Sequence, residues 1–279
     1  MKITCWGARG SIPVSGQEYV KYGGDTTCIE IRSKAGDIII IDAGSGIRRL
    51  GNKLLAEDQR SYSMLFTHAH WDHLLGFPFF KPIYLKGTGI KMFGCPFAQR
   101  SVKDIISKTM AAPYFPVDFS LLQAELAFHD ACSEAFEIGP VRISSIPLSH
   151  PNQGQGYKFT EDGKSFVFLT DNELTHVHPG GGEYKDYLRF CAGVDLLVHD
   201  AEFTAEQYKN TKGWGHSVYT DALRLAMEAG VGQFGLFHHN QERSDAELDG
   251  MVEDCSRAVD RGNMKTRCFA ASAGMEITL

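Results

Sequence analysis

The stretch Thr67-His68-Ala69-His70-Trp71-Asp72-His73 constrains this chain more than any other. Three histidines and one aspartate fall within six consecutive positions, directly after the apolar run Ser63-Met64-Leu65-Phe66. Such a run reads as a buried strand, so the imidazoles and the carboxylate are delivered together at a strand end. These groups are transition-metal ligands. His68 and His70 stand two apart; on an extended chain both leave one face and can grip one ion. Asp72 and His73 follow at a turn into the next element and point elsewhere, which serves a second, adjacent ion. Each ion then needs ligands from distant parts of the chain.

Strand ends supply them. Strand-like runs are read at 2–6, 26–32, 37–42, 63–67, 90–93, 141–148, 156–160, 165–169, 194–198, 233–237, 266–270 and 275–279, with 74–80 continuing from the histidine cluster. Helices are read at 47–56, 102–110, 218–229 and 245–261, the last capped by Ser244 or Asp245. His68, His150, Asp171, Asp200 and His238 all sit just after a strand. His150, Asp171 and His238 are therefore the natural distant ligands, and the carboxylate of Asp171 can bridge.

No linker or low-complexity segment interrupts the chain, so 1–279 reads as one domain, with an aromatic-rich insertion at about 77–119. That insertion is either a satellite hydrophobic cluster or a wall or lid of the active site. A net charge of −6 argues against a duplex nucleic-acid coat, which needs a basic face. No apolar run approaches the roughly 20 residues of a membrane helix, and no leader is read, so the expectation is a cytoplasmic chain without membrane contact. Seven dispersed cysteines read as reduced core thiols, with no pair at zinc-ligand spacing.

The set His-x-His-x-Asp-His, followed by Ser149-His150-Pro151, Thr170-Asp171 and Phe237-His238, resembles the metallo-β-lactamase-fold hydrolases. Further stretches resemble the phosphodiesterase branch, which includes ribonuclease Z and the cyclic-phosphate phosphodiesterase of phosphonate breakdown. They are Gly7-Ala8-Arg9-Gly10-Ser11, Gly23-Gly24-Asp25-Thr26-Thr27-Cys28, Asp42-Ala43-Gly44-Ser45-Gly46 and Gly213-Trp214-Gly215-His216-Ser217. The resemblance covers almost the whole chain. It implies an α/β fold, a four-layer αββα sandwich with metals at one edge. By motif, His68, His70 and His150 hold one divalent ion, Asp72, His73 and His238 hold the other, and Asp171 bridges them. Zinc suits these imidazole and carboxylate ligands, and so does manganese or iron where a carboxylate is shared; the sequence does not choose between them.

The implied reaction is hydrolysis of a small phosphodiester, a cyclic nucleotide or other cyclic phosphate, by a hydroxide between the two metals. His216, polarised by Asp200, is the acid that protonates the leaving alkoxide, so Asp72, Asp200 and His216 are the catalytic assignments. In ribonuclease Z the matching acidic residue is Glu; Asp200 is one methylene shorter. Ribonuclease Z also carries a transfer-RNA-gripping arm after the bridging aspartate, and the 28 residues of 172–199 leave no room for one. A small substrate is therefore preferred to nucleic acid. The alternatives are a ribonuclease Z-type RNA nuclease, a thioester or lactone hydrolase, and a non-catalytic sensor. Oligomeric state is open, a homodimer included.

Other residues take plainer readings. His239 lines the pocket beside the ligand His238; His176 and His178 are exposed loop histidines; His129 and His199 are structural. Asp42 orders the histidine loop without being a ligand. Arg9 meets a phosphate or is structural. Gly44-Ser45-Gly46 is a tight turn, since a dinucleotide loop would need a third glycine where Arg49 stands. A triad of Ser149, His150 and Asp171 leaves His68, His70, Asp72 and His73 unexplained.

Overall fold

The computed structural model describes residues 1–95, 101–130 and 135–279. The first half supplies β1 (Lys2–Gly7), β2 (Cys28–Arg32), β3 (Ile38–Ile41), α1 (Ile47–Ala56), β4 (Ser61–Leu65), α2 (Trp71–Leu74), β5 (Gly89–Gly94), α3 (Val102–Thr109) and β6 (Glu125–Asp130). The second supplies β7 (Phe136–Ile138), β8 (Val141–Leu148), β9 (Gly154–Glu161), β10 (Lys164–Leu169), α4 (Tyr184–Cys191), β11 (Leu196–Asp200), α5 (Ala205–Thr211), α6 (Tyr219–Glu228), β12 (Gln233–Phe237), α7 (Asp245–Arg261) and β13 (Arg267–Ala270). The last strand, β14 (Glu276–Thr278), returns to pair antiparallel with β1. Two seven-stranded sheets result, ordered β14-β1-β2-β3-β4-β5-β6 and β13-β12-β11-β10-β9-β8-β7. Each has antiparallel strands at one end and a run of parallel strands at the other.

The run Ile38-Ile39-Ile40-Ile41 shows why there are four layers. Ile39 and Ile41 enter the core between the sheets, beside Phe159, Phe166, Phe168 and Val198. Ile38 and Ile40 face the other way, into a core covered by Leu50 and Leu54 of α1. A strand buried on both faces needs apolar residues at every position. Strand β10 does the same in the second sheet: Phe166 and Phe168 point inward, while Val167 and Leu169 pack under α4, α6 and α7. The layers are thus helix, sheet, sheet, helix, the expected αββα sandwich.

Several expected boundaries move. The strand read at 63–67 is Ser61–Leu65, because the carboxylate of Asp42 takes the Thr67 N–H at 2.8 Å and ends the ladder. Residues 74–80 do not continue as a strand; they hold the end of α2 and a tight helical turn at Phe77–Phe79. Strands β6 and β7 and helix α5 were not expected. In the aromatic stretch, Phe77, Phe80 and Ile83 are core, whereas Phe79 and Tyr114 are exposed. Cys132 lies outside the described residues. Among the described residues, no helix is long and apolar enough to cross a membrane.

Candidate metal centre

The carboxyl ends of β3, β4, β8, β10, β11 and β12 meet at one edge of the sandwich. They deliver, in order, Asp42, Thr67 to His73, His150, Asp171, Asp200 and His238. Three of these residues leave their strands through the left-handed region, with φ of 60° at Asp42, 50° at Asp171 and 55° at His238. Residues with a Cβ rarely adopt this backbone, and where they do the surrounding structure holds them against strain. Here the strain turns each side chain sharply into the shared space.

Beside a three-residue group of Asp200, His216 and His238, two four-residue groups of potential ligand atoms converge there: His68, His70, His150 and Asp171, and Asp72, His73, Asp171 and His238. Asp171 belongs to both. Its carboxylate lies 3.4 Å from His68 Nε2, 3.2 Å from His73 Nε2 and 3.3 Å from His238 Nε2. Asp72 lies 3.3 Å from His73 Nε2 and 3.1 Å from His238 Nε2. His70 is the half-exposed member of an otherwise buried set.

The opposite ring nitrogens are already committed. His73 Nδ1 donates to Asp42 at 2.8 Å, His150 Nδ1 to the Gly215 carbonyl at 2.9 Å, and His238 Nδ1 to Glu202 at 2.8 Å. Thr67 Oγ1 donates to Asp42 at 2.6 Å and so accepts from His68 Nδ1 at 3.1 Å. Protonation at Nδ1 leaves the Nε2 lone pair free, as in metal-binding histidines. The Nε2 atoms of His68 and His73 are buried without a hydrogen-bond partner, and His150 Nε2 faces His70 Nδ1 at 2.9 Å. Lone pairs aimed at carboxylates and at each other require positive charge between them. Protons alone meet that need poorly. Burial pushes His68 well below its ordinary pKa and His150 down to about 3, while at His73 and His238 the carboxylates outweigh burial and push the value well up. The donor set therefore fits divalent cations, with imidazole and carboxylate in the mixture that zinc and its neighbours accept.

His216 stands beside this set. Its ring stacks on His238 at 4.5 Å between centroids, and its Nδ1 lies 2.8 Å from Asp200 and 3.4 Å from Glu202. Burial lowers its pKa, but the carboxylates of Glu202 and Asp200 prevail and raise it to about 9. Asp200 is itself fixed by the N–H groups of Asn172 and Glu202, at 3.2 and 3.0 Å.

Two acids in this shell were not singled out from the sequence. Glu202 holds both His238 and Asn240, the latter at 2.9 Å. Its signal was its place two residues beyond Asp200 at a strand end. Buried Glu173 gathers the N–H groups of Gly213 and Gly215 at 2.7 and 2.8 Å, His178 Nε2 at 2.8 Å and the Tyr208 hydroxyl. It thereby fixes the turn that offers its carbonyl to His150. Two glycines permit the close approach. A Cβ on Gly10 would sit 2.3 Å from the His238 ring, and one on Gly215, at φ +95°, would sit 2.1 Å from His150 Nδ1.

Three plainer readings need correction or resolution. His178 is buried against Glu173 rather than exposed. His239 does not line the pocket; it is buried, with Nε2 donating to the Ala271 carbonyl at 2.8 Å. Arg9 is structural, fully buried and donating to the carbonyls of Asn240, Arg243 and Gly23. Asp42 does order the histidine loop, and His199 is a buried partner of Asn172 at 3.1 Å.

Comparison with known proteins places this fold. Residues 38–239 match the family described as Beta-lactamase superfamily domain. Ribonuclease Z of Porphyromonas gingivalis is 25% identical over 272 aligned residues, covering 81% of this chain and 85% of that protein. The metallo-beta-lactamase fold protein YhfI from Bacillus subtilis superposes with a TM-score of 0.71 at 18% identity, covering 99% of this chain and 98% of that one. A diphosphatase from the PhnP family superposes with a TM-score of 0.70 at 16% identity, covering 100% and 97%.

Proposed function

The chain belongs to the β-lactamase superfamily, as a hydrolase of the metallo-β-lactamase fold, and on that premise we propose that it is a dinuclear metal-dependent phosphodiesterase acting on a small phosphodiester such as a cyclic nucleotide or another cyclic phosphate. His68, His70 and His150 would hold one ion, Asp72, His73 and His238 the other, with Asp171 between them. When bound, such ions polarise phosphoryl oxygens and bring the pKa of water towards neutrality.

The chain's own groups do the rest. Asp42, Glu202, Thr67 and the Gly215 carbonyl keep the Nε2 atoms of His73, His238, His68 and His150 facing the centre. The Ser11 N–H, 2.9 Å from Asp72, sets the angle of that carboxylate. His216 keeps its Nδ1 proton on Asp200, which leaves its other nitrogen to protonate a departing oxygen.

The Asp200–His216 couple carries the proposal. An alkoxide is a poor leaving group and needs a proton donor, whereas a thiolate hardly does. That favours a phosphodiester over a thioester. The segment after Asp171 favours a small one: 172–199 is spent on a loop, α4 and most of β11, with no protruding arm. Kinship with ribonuclease Z supports a second reading, cleavage of an RNA precursor. Protein loaded with zinc or manganese should be assayed on 2′,3′-cyclic AMP, an unprocessed transfer RNA and an acyl thioester. The expected outcome is turnover of the cyclic phosphate at least about a hundredfold more efficiently than either competitor, a margin on the scale of general-acid catalysis. Preferential cleavage of the RNA or the thioester would overturn the small-phosphodiester reading.

A further inference from the structure

Helix α7 and the edge strand β13 bring two thiols together. The buried face of α7 is Leu248, Met251, Cys255 and Val259, a three-and-four spacing that turns one stripe towards the sheet. Strand β13 runs parallel to β12, with Cys268 opposite Phe234 and Ala270 opposite Leu236. Phe234 and Leu236 lie in the core under the helices, so Cys268, on the same face of the sheet, meets α7 there. The two sulfurs hydrogen-bond each other. Both lie outside the ligand groups of the candidate centre.

The two thiols are unequal. Cys255 is fully buried, whereas Cys268 is the one cysteine among the described residues that is not buried, on the outermost strand of its sheet. The hydrogen bond from Cys255 holds the Cys268 thiol below its ordinary value, against the opposing effect of partial burial. The same bond, with burial, pushes Cys255 up. Burial alone sets the other core thiols apart: it pushes Cys5 and Cys191 up to about 12. An accessible thiol biased towards thiolate, with a second thiol beside it, is the arrangement that reacts with peroxides. The thiolate is the nucleophile, and its neighbour resolves the product.

We propose that Cys268 and Cys255 are a peroxide-reactive dithiol that closes to a disulfide and clamps β13 to α7. The Cys268 thiolate attacks one oxygen of hydrogen peroxide. An S–O bond forms, the O–O bond breaks, and the leaving hydroxide takes up a proton as water. The Cys255 sulfur then displaces the hydroxyl of the Cys268 sulfenic acid. The S–S bond forms, the S–O bond breaks, and the Cys255 proton leaves with the hydroxide as a second water. Two thiols are oxidised and one peroxide is reduced. A small dithiol such as dithiothreitol reverses the change. The disulfide closes the loop 255–268 and so restricts the unfolded chain.

Peptide mapping of the full zinc-loaded chain, treated with limiting hydrogen peroxide, tests the proposal. The expected product is a cross-linked peptide joining Cys255 to Cys268, with loss of two free thiols per chain and return of both on adding dithiothreitol. Cys255→Ser should stop the reaction at the Cys268 sulfenic acid, trapped as a dimedone adduct. Cys268→Ser should leave Cys255 unoxidised. The native chain should melt about 4 °C or more higher when oxidised and return on reduction, as closure of a loop this short implies. Peroxide consumed first at another cysteine, Cys132 included, with Cys255 and Cys268 still reduced, would overturn the dithiol. So would a Cys255→Ser chain that yields no adduct at Cys268. An oxidised chain that melts no higher would overturn the clamp. If a serine variant fails to fold, the mapping and melting of the native chain decide alone.

Discussion

Asp171→Ala should empty the centre more completely than any other single change, and lower diester hydrolysis by more than the roughly 10–100-fold that loss of a supporting group costs. Asp171 is the residue common to both ligand groups, within 3.4 Å of the Nε2 atoms of His68, His73 and His238. Removing it takes away the negative charge that offsets two cations at once. It also removes the carboxylate that faces His68 Nε2, whereas His73 and His238 keep Asp72. Elemental analysis should therefore find fewer than two metals per chain after dialysis. His70→Ala is the instructive comparison. His70 is half-exposed and sits in the first group alone, so its loss should weaken one ion and spare the other. Full retention of two metals by Asp171→Ala would remove it from the bridging place.

The second large effect is conditional on the leaving group. His216→Ala should slow hydrolysis of alkyl diesters by about 10²–10⁴-fold, the range of general acid–base catalysis. With p-nitrophenyl esters, whose leaving group is stable as an anion, the loss should be much smaller. Glu202 and Asp200 hold the imidazole at a pKa of about 9 in the absence of cations. Two divalent charges beside it would draw that value down towards neutrality, which makes it both protonated and willing to give its proton up. Measuring kcat against leaving-group pKa for the native chain and the variant reads this directly. Parallel lines, with the same loss on good and poor leaving groups, would assign His216 a purely structural place.

What the sequence disclosed follows from how locally each feature is determined. Helix Asp245–Arg261 was legible because Ser244 caps it and Glu247 completes the capping box. Strands Val141–Leu148 and Gln233–Phe237 carried enough apolar residues to be read to their ends. Helix α5 was not legible: it buries none of its seven residues, so no apolar period marks it, and only the Thr204–Gln207 capping box announces it. Strand β7 is three residues long, below the window in which alternation can be counted. Strand β6 does alternate, with half-buried Leu126 and Phe128, but at the sheet edge, where Ala127 and His129 face solvent.

The same division holds at the centre. His68, His70, Asp72 and His73 are concentrated in the sequence, and His150, Asp171 and His238 follow strands that could be seen. Glu202 and Glu173 act through partners 36 and 42 positions away, at His238 and Gly215. Only the crossing of β11 against β12, and of the loop after β10 against the Gly213–Gly215 turn, brings these groups together. An isolated glutamate carries no sign of such a crossing.

The most direct test is a metal titration of function. Protein stripped with a chelator should be inactive on bis(p-nitrophenyl) phosphate, and stepwise addition of zinc or manganese should restore hydrolysis until two equivalents per chain are bound. Full activity in the stripped protein, or a plateau reached at a single equivalent, would contradict a dinuclear phosphodiesterase.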